Sequence, residues 1–292
     1  AGETLGMVGE SGSGKSTIAR ALTGQLKPPF RPDQCRLAGR ALLDVAAGPV
    51  DLVAATAAQR RAVRMRDIAM ISQDALSGLN PVLSIGWQLT ESLRVNEPGL
   101  TRAEARIRAT ALLDEVELPA PDTALRRFPH QFSGGQRQRV MMALALARNP
   151  RLLIADEPTT ALDATVQARI LDLLQARKAA RGMAVLFITH DLGVVSRIAD
   201  RVAVLYAGRI AETCPVRDFR DNPRHPYTAG LVASRPGYHG GYPALTGYGP
   251  SPRGLDAGCA FRPRCPRAEP ACAAPVPVSQ TDRGDLACRR PL

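Results

Sequence analysis

The sequence predicts an α/β fold with a largely parallel sheet, followed by a loop-rich C-terminal extension. Short apolar segments of strand length alternate with segments of helical period as far as about residue 212, which is typical of a parallel sheet. Beyond Cys214 the texture changes, because residues 215–292 contain 13 of the 24 prolines, four of the six cysteines and little apolar periodicity. Such a segment cannot build a core by burial alone, so we expect it to pack on the domain or to be cross-linked.

Five apolar segments are predicted to form buried strands: residues 5–8, 68–71, 152–155, 184–188 and 202–206. A helix is predicted over residues 101–116, because Thr101 and Glu104 have the spacing of a capping box at its start. A second helix is predicted to contain Val166, Ile170, Leu173 and Leu174, which recur at i, i+4, i+7 and i+8.

Length and composition limit the possible classes of protein. A chain of 292 residues with 45% hydrophobic and 22% charged residues suits one large domain with an appendage and excludes wholesale disorder. No run of 18 apolar residues is present, and the first residues have no signal-peptide pattern, so we expect a cytosolic protein. The net charge of +11 comes from 35 arginines and three lysines spread along the chain, which favours a solvated surface over a nucleic-acid arm.

A phosphate-binding loop is predicted at residues 9–16, which match G-x-x-x-x-G-K-[ST] between a strand and a helix. The glycines let backbone N–H groups turn toward phosphate oxygens, and the helix N-terminus adds partial positive charge. We expect Lys15 to reach the β- and γ-phosphates and Ser16 to ligate Mg²⁺. The candidate nucleotide-binding residues here are Gly9, Ser11, Gly12, Ser13, Gly14, Lys15, Ser16 and Thr17.

Two carboxylates end the predicted strand at residues 152–155. We expect Asp156 to hold Mg²⁺ through water and Glu157 to polarise the water that attacks the γ-phosphate. An apolar segment followed by acids is common wherever a strand leaves a core. This pattern therefore indicates a catalytic site only in combination with the phosphate loop.

A second glycine-rich turn, Ser133, Gly134, Gly135 and Gln136, precedes another predicted helix. It resembles the signature turn of the ATP-binding cassette (ABC) ATPases, and it lies before the strand at residue 152 as it does in that family. The resemblance implies a P-loop NTPase fold with a RecA-like parallel core and a helical subdomain at about residues 84–150. It also implies that this turn closes on the ATP held by a partner cassette.

Three further positions match the family pattern in the expected order. Gln73 resembles the glutamine that senses Mg²⁺ and water and lies next to the membrane partner. Asp163 resembles the aspartate that communicates across the cassette dimer, and His190 resembles the histidine that contacts the γ-phosphate. Taken alone, each residue fits an ordinary structural role better: Gln73 that of a polar loop residue, Asp163 that of a helix cap and His190 that of a polar strand end.

A narrower resemblance is to the oligopeptide/dipeptide importer subfamily. It is carried by residues 68–74 with 79–83, by residues 128–131 before the signature turn, and by the His225-Pro226-Tyr227 segment. It implies an ATPase on the cytoplasmic face of the membrane that binds ATP and Mg²⁺. The implied partners are a second, different ATPase subunit, two membrane permease subunits and an extracytoplasmic peptide-binding protein, with no nucleic acid.

Cys259, Cys265, Cys272 and Cys288 lie in the extension with 5, 6 and 15 intervening residues. In a cytosolic protein, four cysteines in a segment without a core suggest metal ligands before disulfides. The segment resembles the extension of peptide-importer cassettes, some of which hold a [4Fe–4S] cluster. Zinc is the alternative, and four free thiols are the third possibility.

The expected organisation is therefore a nucleotide-binding domain over residues 1–212 and an extension over residues 213–292. Because the chain starts two residues before the strand that leads into Gly9, the resemblance implies that the N-terminal antiparallel strands and the adenine-stacking aromatic residue are truncated. Alternative functions are an exporter cassette, a cassette for nickel or another small solute, and a soluble ABC ATPase that acts on nucleic acid.

Overall fold

The computed structural model describes residues 2–26, 37–74, 78–235, 240–247, 249–250 and 257–292. The chain forms two compact units, Ala1–Gly2 with Ala19–Val185 and Glu3–Ile18 with Leu186–Leu292. The strands are β1 Thr4–Val8, β2 Leu42–Val45, β3 Gly48–Asp51, β4 Ile68–Ile71, β5 Leu152–Asp156, β6 Ala184–Ile188, β7 Arg201–Tyr206, β8 Arg209–Pro215, β9 Ser279–Thr281 and β10 Gly284–Leu286. The α-helices are α1 Lys15–Leu22, α2 Ala57–Arg66, α3 Ile85–Asn96, α4 Arg102–Glu115, α5 Pro121–Ala124, α6 Gly134–Ala147, α7 Ala164–Arg181, α8 Leu192–Ile198, α9 Val216–Asp221 and α10 Pro226–Ala233.

The first unit, which contains Ala19–Val185, combines two strand pairs with a group of helices. Strands β4 and β5 pair in parallel, with Ile68 opposite Leu152 and Ile71 opposite Ala155. Strands β2 and β3 form an antiparallel hairpin that the sequence analysis did not predict. Its strands have four residues each and no buried position, so they lack the apolar run that marks a core strand.

The predicted capping box begins α4. The Thr101 hydroxyl accepts from the Glu104 N–H at 3.3 Å, and the Glu104 carboxylate accepts from the Thr101 N–H at 2.9 Å. The two side chains thereby satisfy backbone donors that a helix start leaves without partners. The buried residues of α4 face α3 and α6, so these three helices form the core of the helical region.

The second unit, which contains Leu186–Leu292, is built on a mixed sheet. Strands β1 and β7 pair in parallel, and β7 and β8 pair antiparallel. The extension adds β10 antiparallel to β8 and then β9 antiparallel to β10. The described part of the extension therefore lies on this unit, which gives it the core that its own sequence could not build.

Aromatic packing fixes the extension on the second unit. Tyr206 of β7, Tyr227 of α10 and Phe261 form one buried cluster, with ring centroids 4.4–5.4 Å apart. Beside it, the buried Glu212 carboxylate accepts from the Arg224 guanidinium at 3.1 Å. Removing either partner of such a buried pair leaves an uncompensated charge, so this pair fixes the geometry of the junction.

The α/β prediction is confirmed, with parallel pairs β4–β5 and β1–β7 at the strands that the sequence analysis placed. Among the described residues, no helix is long and apolar enough to cross a membrane. The boundary proposed at residues 212 and 213 stays a prediction.

Candidate nucleotide-binding site

The phosphate loop, Gly9–Ser16, joins β1 to α1 in the second unit. Gly9 has a φ of 152°, and a Cβ there would lie 2.1 Å from the Leu205 carbonyl oxygen, so only glycine fits. The Ser13 N–H donates to the Glu10 carbonyl at 3.2 Å, and the Ser13 carbonyl accepts from the Gly208 N–H at 2.8 Å. The loop is thereby closed on itself and held against the turn between β7 and β8.

Lys15 is the first residue of α1, and 8% of it is exposed. Its ammonium donates to the carbonyls of Gly9 at 2.8 Å and Glu10 at 2.9 Å. The positive charge therefore lies inside the loop at a helix N-terminus. This arrangement suits a bound phosphate group, because the ammonium and the backbone dipoles act in the same direction.

His190 follows β6 in the second unit and is exposed. The preceding Thr189 N–H donates to the Met7 carbonyl at 3.3 Å, one residue before the end of β1. The backbone at His190 therefore lies at the same edge of the sheet as the phosphate loop. Contact of His190 with a γ-phosphate stays a prediction.

Gln73 and Asp156 belong to the first unit and share one edge of the β4–β5 pair. Ile71 lies opposite Ala155, so Gln73 follows β4 at the edge where Asp156 ends β5. Asp156 is buried with 2% exposure, whereas Gln73 is exposed. Mg²⁺ prefers oxygen donors, so the carboxylate of Asp156, the amide oxygen of Gln73 and, in the second unit, the hydroxyl of Ser16 each have chemistry that suits the ion.

Glu157 is held in an unusual backbone conformation, with a φ of 53°. Its carbonyl accepts from the Gln138 side-chain amide at 2.9 Å, and its carboxylate accepts from the Thr160 hydroxyl at 2.9 Å. A left-handed non-glycine residue costs about 1–3 kcal/mol and persists only where its surroundings enforce it. The hydrogen bonds from Gln138 and Thr160 hold Glu157 in this conformation.

The signature turn, Ser133–Gln136, starts α6 in the first unit. The Ser133 hydroxyl accepts from the Gln136 N–H at 3.3 Å, and the Gln136 side chain accepts from the Ser133 N–H at 3.1 Å. Ser133 and Gly134 are exposed, whereas a Cβ on Gly135 would lie 2.8 Å from the Ala161 carbonyl. The turn therefore needs glycine at residue 135 and presents its first residues outward.

Asp163 is the N-cap of α7. Its carboxylate accepts from the Thr165 N–H at 3.1 Å and the Val166 N–H at 3.0 Å. The capping interpretation of this aspartate is thus correct. A role for the exposed Asp163 across a dimer is compatible with capping and stays a prediction.

The predicted site residues divide between the two units. The second unit contains the phosphate loop, Thr17 and His190, and the first contains Gln73, the signature turn, Asp156, Glu157 and Asp163. Within the first unit, Gln138 links α6 to the segment after β5, because its side-chain oxygen accepts from the Ala161 N–H at 3.2 Å. All of these residues are among those described, and their assignment to nucleotide chemistry stays a prediction.

Sequence reasoning missed Gln138, Glu10 and Arg264. Gln138 is 3% exposed, and a signal existed for it, since it lies on the helix face that carries Met141 and Met142 into the core. The Glu10 carboxylate and the Arg264 guanidinium pair at 2.7 Å across 254 residues of sequence. Nothing in a local pattern could indicate that pair.

The four cysteines of the extension lie near one another in the second unit. The Cys259 N–H donates to the Cys272 carbonyl at 2.9 Å. Burial, and to a smaller extent the charges of the other thiolates, raise the pKa of Cys265, and the same causes raise that of Cys288 to about 11. Even so, no group of three or more His, Cys, Asp or Glu in the described segments is arranged to hold a metal ion.

Two family models match the chain. One, described as "ABC transporter", covers residues 1–160, and the other, described as "Oligopeptide/dipeptide transporter, C-terminal region", covers residues 211–272. Two relatives, from Brucella abortus and Brucella melitensis, carry the provisional name of peptide import ATP-binding protein. The first is 45% identical over 97% of this chain and 83% of its own length, and the second is 46% identical over 94% and 83%.

Solved structures give the same assignment. The ATP-binding cassette MJ0796, in a dimeric post-hydrolysis state with ADP and Pi, is 28% identical with a TM-score of 0.63 over 74% of this chain and 86% of its own. CbiO1 of Clostridium perfringens, part of the ABC transporter complex cbiONQ, is 28% identical with a TM-score of 0.58 over 74% and 78%.

Proposed function

Because this chain belongs to the ABC transporter family, we propose that it is the ATP-binding and ATP-hydrolysing subunit of an importer for di- or oligopeptides. The phosphate loop carries the nucleotide part of the proposal, since Lys15 and the start of α1 form a ready anion site. The match of residues 211–272 to the oligopeptide/dipeptide transporter region supports the peptide part.

The roles of the chain's own residues follow from their chemistry. The N–H groups of the phosphate loop and the Lys15 ammonium hold the β- and γ-phosphates, and the Glu157 carboxylate orients the attacking water and accepts its proton. Ser16, Gln73 and Asp156 hold Mg²⁺, which neutralises charge on the β- and γ-phosphates when bound. His190 supports the γ-phosphate from the edge of the sheet where β1 ends.

A second copy or a related cassette completes the site in this proposal. Ser133 and Gly134 are exposed at the start of α6, where backbone N–H groups favour an anion. We propose that they contact the γ-phosphate of a nucleotide bound to the partner, and that Asp163 lies close to this contact. ATP then holds the two cassettes together, and hydrolysis releases them.

The proposed permease contact is on the first unit. A cavity of about 1040 Å³ is lined by residues that include Arg64, Met65, Trp87 and Arg148. Trp87 is 51% exposed and Met65 is 43% exposed, so two large apolar side chains that line the same cavity are open to solvent, as a protein-binding surface requires. We propose that a permease segment occupies this cavity, which places the subunit peripherally on the cytoplasmic face of the membrane.

The four-cysteine group is proposed to bind a metal, a [4Fe–4S] cluster in preference to zinc. Thiolates suit both metals, and two observations support the proposal: the Cys259 N–H donates to the Cys272 carbonyl, and the charges of neighbouring thiolates contribute to the raised pKa of Cys265 and of Cys288. Purified protein with iron and broad absorbance near ~400 nm is the expected result. One equivalent of zinc without iron would establish the alternative, and Cys265→Ser should lower the metal content while Cys214→Ser should not.

Glu157→Gln tests the catalytic assignment. The variant keeps the shape of the side chain but loses the base, so we expect ATP binding within about twofold of wild type and a fall in turnover of at least about 100-fold. Glu3→Gln, a surface carboxylate in a weak 3.8 Å pair with Arg201, is the control. An unchanged rate in Glu157→Gln would remove this residue from the mechanism.

A further inference from the structure

Glu10, the second residue of the phosphate loop, is held at each of its polar groups. Its carbonyl accepts from the Lys15 ammonium at 2.9 Å and from the Ser13 N–H at 3.2 Å. Its N–H donates to the Tyr227 hydroxyl at 2.9 Å, and its carboxylate is bound by Arg264. The residue therefore links the phosphate loop to two segments of the extension.

The contact with Arg264 is bidentate. The two terminal nitrogens of the Arg264 guanidinium donate to the two Glu10 carboxylate oxygens, at 2.7 and 3.0 Å. The Arg264 side chain is 11% exposed and that of Glu10 is 28% exposed, so solvent screens this pair less than a surface pair. Bidentate geometry fixes orientation as well as distance.

Arg264 is itself held in place by the extension and by β7. It donates to the Thr246 carbonyl at 2.9 Å and to the Gly247 carbonyl at 3.1 Å. It also donates to the Tyr206 hydroxyl at 3.2 Å, and its guanidinium lies 5.9 Å from the ring centroids of Tyr206 and Phe261. These contacts orient the guanidinium independently of its pairing with Glu10.

The charges of Glu10 and Arg264 affect nucleotide binding as well as packing. A carboxylate in the first turn of a phosphate loop repels the polyphosphate that the loop is built to hold. The Arg264 guanidinium neutralises that charge, and it also fixes Glu10, whose carbonyl positions the Lys15 ammonium. The pair therefore acts on both the electrostatics and the geometry of the loop.

We propose that Arg264 is a positioning residue of the nucleotide site, which neutralises Glu10 and fixes the phosphate loop, so that nucleotide binding and the cysteine-bearing extension are coupled. This inference rests on the proposed binding of ATP at residues 9–16. Coupling is reciprocal, so bound nucleotide also stabilises the docked extension.

The test measures the affinity of the full chain for the non-hydrolysable analogue AMP-PNP with Mg²⁺ at low salt. Arg264→Met should weaken binding about tenfold, because Glu10 is left as an uncompensated charge. Glu10→Gln with Arg264→Met should bind within about threefold of wild type, since the repulsion is gone. Arg267→Met removes an exposed arginine of the same segment and should change affinity by less than about twofold.

Two further measurements separate positioning from simple loss of structure. The defect of Arg264→Met should shrink when ionic strength rises from about 0.05 to about 0.5 M, because salt screens the Glu10 charge. In ATP turnover, Arg264→Lys should raise KM about threefold and leave kcat nearly unchanged, which is the pattern of lost ground-state binding. Because Arg264→Lys keeps the positive charge, it can be used to test the inference if Arg264→Met does not fold.

Each outcome decides one assignment. Wild-type affinity in Arg264→Met, or a double variant as weak as Arg264→Met, overturns the inference. A fall in kcat at unchanged KM in Arg264→Lys also overturns it. If Lys15→Ala binds AMP-PNP as wild type does, the proposed nucleotide site is at fault and not the role of Arg264.

Discussion

The phosphate loop and the signature turn are two solutions to the same local problem, since each leads a glycine-rich turn into a helix with donors at its start. The phosphate loop is exposed at Ser11 and Gly12 but is anchored by buried side chains, since Lys15 is 8% and Ser13 4% exposed and the extension contacts Glu10. The signature turn is exposed at Ser133 and Gly134 and is capped by its own Gln136.

The two turns depend on different contacts. The loop's geometry is fixed by contacts within its own unit, so we expect a single chain to bind a phosphate group there. The signature turn satisfies its own N-cap and exposes Ser133 and Gly134, which suits a ligand carried by another molecule. Substitutions in the two turns should therefore have different consequences.

The largest effect is expected from Lys15→Ala. Loss of the ammonium removes the only full positive charge within the loop sequence, so affinity for AMP-PNP should fall at least about 100-fold in a single-chain binding assay. Lys178→Ala, at the end of α7, removes one of the other two lysines and should stay within about twofold of wild type. Equal affinities in the two variants would contradict the assignment of the loop.

Gly135→Ala should give the opposite pattern. Its Cβ would meet the Ala161 carbonyl at 2.8 Å, which displaces the turn, so turnover should fall about 30-fold while single-chain nucleotide affinity stays within about twofold. Gly134→Ala should reduce turnover less, since among the described residues no atom lies within 4 Å of the new Cβ. Weakened single-chain binding in Gly135→Ala would show that the two turns are not independent.

Gln138→Met tests whether α6, the helix that follows the signature turn, supports Glu157 through its side chain. The variant keeps the length of the side chain but removes the donor to the Glu157 carbonyl and the acceptor for the Ala161 N–H. We expect turnover to fall about tenfold, because the left-handed backbone at Glu157 is less well held. Gln167→Met, which removes a 3.3 Å bond to the Thr159 hydroxyl, is the matched control and should have the smaller effect.

The smallest effect is expected from Tyr227→Phe, which tests how the extension anchors the phosphate loop. Loss of the acceptor for the Glu10 N–H costs about 1 kcal/mol, so AMP-PNP affinity should fall about fivefold. Tyr242→Phe is the control, since no hydrogen bond is described for its buried hydroxyl. The role of Tyr227 would be excluded if both variants bound the analogue equally.

Much of the fold and of the candidate site follows from local patterns. Five predicted strands coincide with β1, β4, β5, β6 and β7 to within a residue at either end, because buried strands carry uninterrupted apolar runs. The helix cap at Thr101 and the turns at residues 9–16 and 133–136 were also placed correctly, since each depends on residues close in sequence. The β2–β3 hairpin was missed because its alternation is weak and its residues are not buried.

Glycine turns, helix caps and apolar runs are short-range properties of the chain, so they were enough to identify the family, the α/β class and the candidate nucleotide residues. The support of Glu157 by Gln138 and of Glu10 by Arg264 and Tyr227, in contrast, became visible only in the folded molecule. These contacts join residues that are 19 to 254 positions apart, and each replaces water at a polar group with a partner. Which residues become partners depends on how distant segments pack together. Local sequence patterns do not contain that information.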